Sequence, residues 1–365
     1  MAEEKRKIRY AVVGAGNIAQ VAVFPAFTHA GENSELCAVI SGDAEKRAAL
    51  REKYDFELDG DYADFESILE RGRIDAVYVA TPNSHHKEFT LRAATEGVHV
   101  LCEKPLAPTA DDCRAMIDAC EANGVKLMTA YRLHFEEATL AAMEIARSGK
   151  LGQPKLFSSF FSHVVRSGDI RREPEVAGGA TYDLGVYCIN AARHLFDAEP
   201  TLIRAEAIEK DGVDDTVSVV LRFPGDRLAQ FCVSNSVAGV SSYRIAGDQG
   251  DLRVEPAYEY VEPIVHHLTV DGDTKTKKFK KGDQFAPELR YFSDCILNDR
   301  EPEPSGEEGF CDIRVVEAIL ESARDARPVM LAPYERRQRP TLDQADHARP
   351  VKKPKTVNAP SPSVK

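Results

Sequence analysis

The sequence predicts an α/β protein in which an N-terminal, doubly wound parallel sheet is followed by an α+β part with an open, mainly antiparallel sheet. Three observations carry this. Short apolar runs alternate with helix-like stretches as far as Ala130, the pattern of a parallel sheet wrapped by helices. Beyond Gly152, β-like runs follow one another without helices between them. The chain of 365 residues has room for two domains at ~100–200 residues each.

The elements follow in order. Ile8 to Val13 is almost wholly apolar and reads as a strand buried on both faces. Leu36 to Ile40, Ala76 to Ala80, Val98 to Cys102 and Lys126 to Ala130 repeat it. Asp43 to Tyr54, Asp64 to Arg71, His86 to Glu96 and Thr109 to Asn123 supply the helices between, and Glu136 to Ser148 a connecting helix. In the second part Leu156 to His163, Thr216 to Phe223, Leu228 to Val237 and Ser241 to Ala246 are strands. Val217, Val219, Leu221 and Phe223 alternate against Ser218 and Arg222, and Pro224-Gly225-Asp226 turns one strand into the next. A helix begins near Gly309. The expected domains are 1–128, 129–338 and a tail, 339–365, whose prolines and lysines predict disorder.

Composition narrows the function classes. Lys plus Arg number 47 and Asp plus Glu 59, a formal charge of −12, which disfavours a nucleic-acid partner. No stretch reaches the ~20 apolar residues of a membrane span. The eight cysteines show no C-x-x-C pair, and with the ten histidines no ligand spacing, so the expectation is reduced thiols and no metal. The charged start, Met1 to Lys7, precedes an apolar run too short for a signal core, and a cytoplasmic protein is expected.

Gly14, Gly16 and Ala19 fit G-x-G-x-x-G/A between the first strand and the following helix. The first glycine permits the tight turn, the second a close approach of backbone to pyrophosphate, and the small third residue close helix packing. Amides at Asn17 and Ile18 then face phosphate at a helix start. This is the signature of a Rossmann dinucleotide site. After the second strand, an NAD enzyme would place Asp or Glu to hold the ribose hydroxyls. Here Ser41-Gly42 stands there, with Lys46 and Arg47 one turn later, which favours a 2′-phosphate and hence NADP; Asp43 keeps NAD open.

Two further turns end at the carboxyl edge of that sheet: Thr81-Pro82-Asn83-Ser84-His85-His86 and Glu103-Lys104-Pro105. Ligands bind at this edge in open α/β sheets. Lys104 can polarise a hydroxyl or carbonyl oxygen, and His86 reads as a helix-start and cofactor-wall residue. In the second part, Asp183, Tyr187 and Asn190 share a face at i, i+4 and i+7. A tyrosine needs a nearby cation to act as a base at neutrality, and Lys104 could supply it.

The ordered set Gly14 to Ala19, Thr81 to His86, Glu103-Lys104-Pro105, Tyr131-Arg132, Gly178 to Asn190 and Ser305 to Gly309 resembles the two-domain oxidoreductases grouped with glucose-fructose oxidoreductase and inositol dehydrogenase. Many members carry D-x-G-x-H with a histidine acid/base. Tyr187 and Asn190 here look like the branch of glucose-fructose and aldose-aldose oxidoreductases, and the absence of a proline-rich N-terminal arm suits a cytoplasmic relative.

That resemblance implies tightly held NADP and hydride transfer at C1 of a cyclic aldose to give a lactone, with a second aldose or ketose reduced to an alditol in a ping-pong cycle. Tyr187 would move the C1 hydroxyl proton, Lys104 would hold that oxygen, and Asp183 would position a neighbouring hydroxyl. Arg132, His163 and Arg171 are further substrate candidates, and Ser41, Gly42, Lys46, Thr81, Pro82, Asn83, His86, Glu103 and Arg132 would line the cofactor. The alternatives are an NADP-dependent sugar, polyol or diol dehydrogenase that releases its cofactor each turnover, and a non-catalytic cofactor sensor. A homodimer or larger homo-oligomer through the second sheet is expected.

Overall fold

The computed structural model describes residues 6–336 and 338–363. The chain divides into two compact units: one takes the chain up to Arg132 with Gly282–Phe310 and His347–Ser361, the other Leu133–Lys281, Cys311–Asp346 and the chain from Pro362. The division thus falls after Arg132 rather than at 128, and the first unit recovers two later segments that sequence periodicity does not assign to it.

In the first unit β1 (Ile8–Val13), β2 (Ser34–Ile40), β3 (Leu58–Gly60), β4 (Ala76–Val79), β5 (His99–Glu103) and β6 (Leu127–Ala130) form one sheet in the order β3-β2-β1-β4-β5-β6. Every pair is parallel. Ala11, Val12, Val13, Val77, Tyr78 and Val79 are all fully buried, which explains why these runs lack alternation. Helices α1 (Phe24–Ala30), α2 (Ala44–Lys53), α3 (Phe65–Gly72), α4 (His86–Thr95) and α5 (Ala110–Ala122) connect the strands. A wide π-type turn, Ala19–Val23, leads into α1, with the Phe24 N–H reaching back to the Ala19 carbonyl. Pro25 has no N–H to continue an ordinary helical ladder at this point.

In the second unit α6 (Glu137–Arg147) precedes β7 (Leu156–Val164), and a π-type turn, Thr181–Gly185, opens α7 (Val186–Leu195). There follow β8 (Leu202–Lys210), β9 (Val213–Phe223), β10 (Arg227–Ser234), β11 (Ser236–Ala246), β12 (Gly250–Val254), β13 (Val265–Val270) and β14 (Asp273–Lys278). Their sheet runs β14-β13-β12-β11-β7-β10-β9-β8-β15, where β15 is Val329–Met330. Only the β7–β10 pair is parallel. The turn at Pro224 to Asp226 is as expected, three residues between the paired Phe223 and Arg227, with positive φ at Gly225 (74°) and Asp226 (56°). The strand expected to run from Leu228 to Val237 instead stops at Ser234. Buried Asn235 donates its N–H to the Asp215 carbonyl at 2.8 Å, and β11 starts at Ser236.

Helix α8 (Ala286–Leu297) belongs to the first unit, where it packs on β1, β2 and α1. Its buried Ser293 hydroxyl lies 2.9 Å from that of Tyr10 and 2.7 Å from that of Ser34. The last helix, α9, is Gly306–Asp325. Within the second unit, fully buried Arg193 on α7 pairs with Asp312 and, at 2.6 Å, with Glu199.

The tail departs from expectation. Residues 347–361 lie on the first unit, and Ala348 and Ala359 are buried. Composition pointed to disorder because the segment has few apolar side chains; its order comes from backbone groups that bond side chains far away in the chain. Among the described residues no helix is long and apolar enough to cross a membrane.

Candidate active site

The strand order reverses direction between β1 and β4, the switch point at which open α/β sheets bind ligands. Gly14 ends β1 with φ +99°, and a Cβ there would sit 2.5 Å from the Ala80 carbonyl oxygen and 3.0 Å from the Thr81 nitrogen. Only glycine lets these two turns meet. A Cβ on Gly16 would point into open space, the approach the motif keeps clear for a phosphate. Thr81 Oγ1 is shielded from solvent and has no hydrogen-bond partner among the described residues. A glycine-cleared turn, a helix start at Asn17 and Ile18 and an orphaned hydroxyl suit a dinucleotide.

At the end of β2, Ser41 is buried and Gly42 faces the Tyr62 ring, 3.5 Å from where a Cβ would be. Asp43 caps α2, accepting the Lys46 N–H at 3.0 Å, while Lys46 Nζ lies 3.7 Å from the same carboxylate. The acid that left NAD open therefore serves as a helix cap. Arg47 is committed elsewhere: it bonds the Ser41 carbonyl and lies 3.1 Å from Asp59.

Buried His86 ties the other two turns together. Its Nδ1 lies 2.9 Å from the Pro105 carbonyl and its Nε2 3.0 Å from that of Thr81, with Pro82 and Asn83 in the turn between Thr81 and α4. Burial lowers its pKa while the facing carbonyls work against that shift, and a neutral ring can donate to only one of the two turns at a time. Glu103 faces inward, accepting the Tyr78 hydroxyl at 2.9 Å and the Lys104 N–H at 3.2 Å. Burial raises its pKa despite neighbouring Lys104. Arg132 is buried and bonds Gln284. Glu288 on α8 is fully buried, with neither carboxyl oxygen bonded among the described residues, and burial next to Glu103 raises its pKa far above the ordinary value.

The second unit gathers His163, Arg171 and Asp183. Arg171 Nε donates to Asp183 at 2.9 Å and its Nη1 to Asp169 at 3.1 Å; His163 Nε2 lies 3.5 Å from Asp183. Against the pull of burial, these two carboxylates hold the Arg171 guanidinium protonated. Tyr187 packs edge-on to Phe161, with centroids 5.5 Å apart, and near Tyr258. Asn190 does not join that group. It is buried, bonding His134 at 3.0 Å and Asp312 at 3.1 Å, because the helix beyond Val186 turns this position inward.

Sequence reasoning missed several residues here. Gln20 is a buried amide in an otherwise apolar helical run, a signal that was present. Asp214, which anchors the start of the Tyr187 helix, and Tyr78 behind Glu103 sit in strands where nothing local marks them.

A sequence profile described as the oxidoreductase family with an NAD-binding Rossmann fold matches residues 8–131, and one described as the GFO/IDH/MocA C-terminal domain matches residues 139–253. The chain belongs to the GFO/IDH/MocA oxidoreductase family. Among relatives of this GFO/IDH/MocA protein, a D-xylose 1-dehydrogenase [NADP(+)] from Haloarcula marismortui is 30% identical over 89% of this chain and 93% of its own. The crystal structure of an aldose-aldose oxidoreductase from Caulobacter crescentus complexed with glycerol matches with a TM-score of 0.85 and 34% identity, covering 89% of this chain and 100% of that one. A 3-ketoreductase from Actinomadura kijaniata, in complex with NADP and TDP-benzene, matches with a TM-score of 0.80 and 26% identity over 87% of this chain and 98% of its own.

Proposed function

We propose that the protein is an NADP-dependent sugar oxidoreductase that oxidises C1 of a cyclic aldose to a lactone and reduces a second aldose or ketose to an alditol in a ping-pong cycle on a cofactor it holds tightly. The observation that carries this reading is its likeness over nearly the whole chain to enzymes named for aldoses and NADP. The use of Asp43 as a helix cap, beside buried Ser41 and half-buried Lys46, supports NADP over NAD.

Bound NADP supplies a hydride acceptor in one half-reaction and, once reduced, a donor in the other. Tyr187 takes the C1 hydroxyl proton as the C1–H electron pair leaves, and gives a proton back to the second sugar. Lys104 Nζ holds the reacting oxygen. Asp183 accepts from a neighbouring sugar hydroxyl, and Arg171 acts through it by fixing the carboxylate at 2.9 Å. Gly14, Gly16, Asn17 and Ile18 receive the pyrophosphate, Ser41 and Lys46 the ribose 2′-phosphate. His86 keeps the Thr81 and Lys104 turns in place.

A second reading, a dehydrogenase that releases NADP(H) at every turnover, is favoured by the named activity of the Haloarcula relative. Freshly purified protein given one aldose and no added nucleotide separates the two. A stoichiometric rise in reduced-nicotinamide absorbance, reversed by a second sugar, supports the ping-pong cycle; a rise only with added NADP supports the dehydrogenase.

One face of the second sheet exposes Leu156, Phe160, Val164 and Leu228. Apolar side chains adjacent on one face fit a homodimer through this sheet. Light scattering should give at least twice the chain mass of 40.3 kDa.

A further inference from the structure

We propose that residues 347–361 are a binding element of the dinucleotide site, a strap that holds a pyridine dinucleotide against the phosphate-binding turn. The inference rests on the cofactor reading above. Its first support is reciprocal bonding. Val357 N–H donates to Gln20 Oε1 at 2.8 Å, and Gln20 Nε2 donates to the Val357 carbonyl at 2.9 Å. Three residues before Gln20, Asn17 Nδ2 donates to the carbonyls of Ala359 and Pro360, each at 3.0 Å. Asn17 belongs to the glycine-rich turn itself.

The second support lies at the other end of the site. Asn358 Nδ2 donates to Glu45 at 3.1 Å and lies 3.4 Å from Asp43, the residues that open α2 after β2. The segment therefore joins the turn for the pyrophosphate to the position for the adenosine ribose. Asn358 has φ 46°, a left-handed conformation uncommon outside glycine, and the bonds to its side chain and its neighbours hold it there.

The pattern of bonds makes the segment a wall rather than a plug. Its carbonyls take side-chain amides of Asn17 and Gln20. Among the described residues, none of its bonds takes the backbone N–H of Gly16, Asn17 or Ile18, the groups that would meet phosphate. The segment also carries exposed Lys352 and Lys353 on a chain of net charge −12, which suits an anionic ligand. Its near end is pinned where the Asp283 N–H donates to the Ala348 carbonyl at 3.0 Å.

The test compares the full chain with one ending at Asp346 and with the full-length Val357→Pro variant, which removes the N–H that meets Gln20 while keeping the rest of the segment in the chain. Each is loaded with NADPH and chased with excess NADP, and loss of bound NADPH fluorescence gives the release rate. Release should be about tenfold faster from the shortened chain, as for the loss of a few hydrogen bonds, and faster in the same direction from Val357→Pro. Bound NADP should also slow tryptic cleavage after Lys352 and Lys355. Equal release rates overturn the proposal while leaving the cofactor reading intact, and slower release from the shortened chain overturns it in favour of a competitor. If the shortened chain fails to fold, Val357→Pro decides. If the folded full chain binds neither NADPH nor NADH, the cofactor reading fails and the strap with it.

Discussion

Asp214 Oδ2 accepts two hydrogen bonds from Thr181, from the N–H at 2.7 Å and from the hydroxyl at 2.6 Å, and so anchors the turn that opens the Tyr187 helix. Burial nonetheless pushes the Asp214 carboxyl up to about 6. A carboxyl raised in this way stabilises the fold fully below its unfolded pKa, about 3.8, and that contribution is lost as the pH rises through about 6. The span is on the order of 3 kcal/mol. Asp214→Asn keeps an acceptor without the charge. Over this window the urea midpoint of the variant should fall less than that of the parent.

Beside this anchor, Gly179 has φ +124°, and a Cβ there would lie 2.1 Å from Asp214 Oδ1. Gly179→Ala should lower stability by roughly 1–3 kcal/mol from backbone strain alone, with more from the displaced carboxylate. Thermal unfolding of the purified variant measures this.

How legible this region was in the sequence depends on what holds it. The strands at Ile8 and Ala76 were readable because burial on both faces leaves an unbroken apolar run, and Gly14 and Gly16 because a phosphate turn needs glycine at those places. The alternation from Val217 to Phe223 marked β9 equally well. By contrast β14, Asp273–Lys278, is exposed at every position, so no periodicity could reveal it. The helical spacing of Asp183, Tyr187 and Asn190 is legible, but the inward turn of Asn190 onto His134 and Asp312 is not, since spacing on a helix does not say which face the core takes. The tail is the clearest miss. Side-chain amides at Asn17 and Gln20 hold its backbone, and such bonds leave no pattern in either segment.

Arg193 and Glu199 give a prediction of opposite sign in pH. Burial would raise the Glu199 carboxyl, but Arg193, with help from Arg339, draws it down to about 2. Its stabilisation is present above the unfolded value of about 4.5 and lost as the pH falls toward about 2. Arg193→Met should destabilise by about 3–5 kcal/mol at neutrality, because Glu199 and Asp312 are left buried with less positive charge beside them. Denaturant titration at neutral and acid pH should show the gap between parent and variant narrowing in acid.

Burial and the neighbouring Glu103 raise the pKa of Glu288, so its contribution is complete below about 4.5 and declines as the pH rises. Glu288→Gln should match the parent within about 1 kcal/mol in acid and exceed it in alkali. Urea midpoints across the pH range test this.

In the proposed reaction Tyr187 moves the proton while bound NADP exchanges hydride with a sugar. Protein loaded with NADP, mixed once with a single aldose, reports it through the rate of reduced-nicotinamide absorbance. The parent should show a rise, and Tyr187→Phe a rate about 10²- to 10⁴-fold lower with the nucleotide still bound. A Tyr187→Phe variant that reduces its nicotinamide as fast as the parent would contradict it.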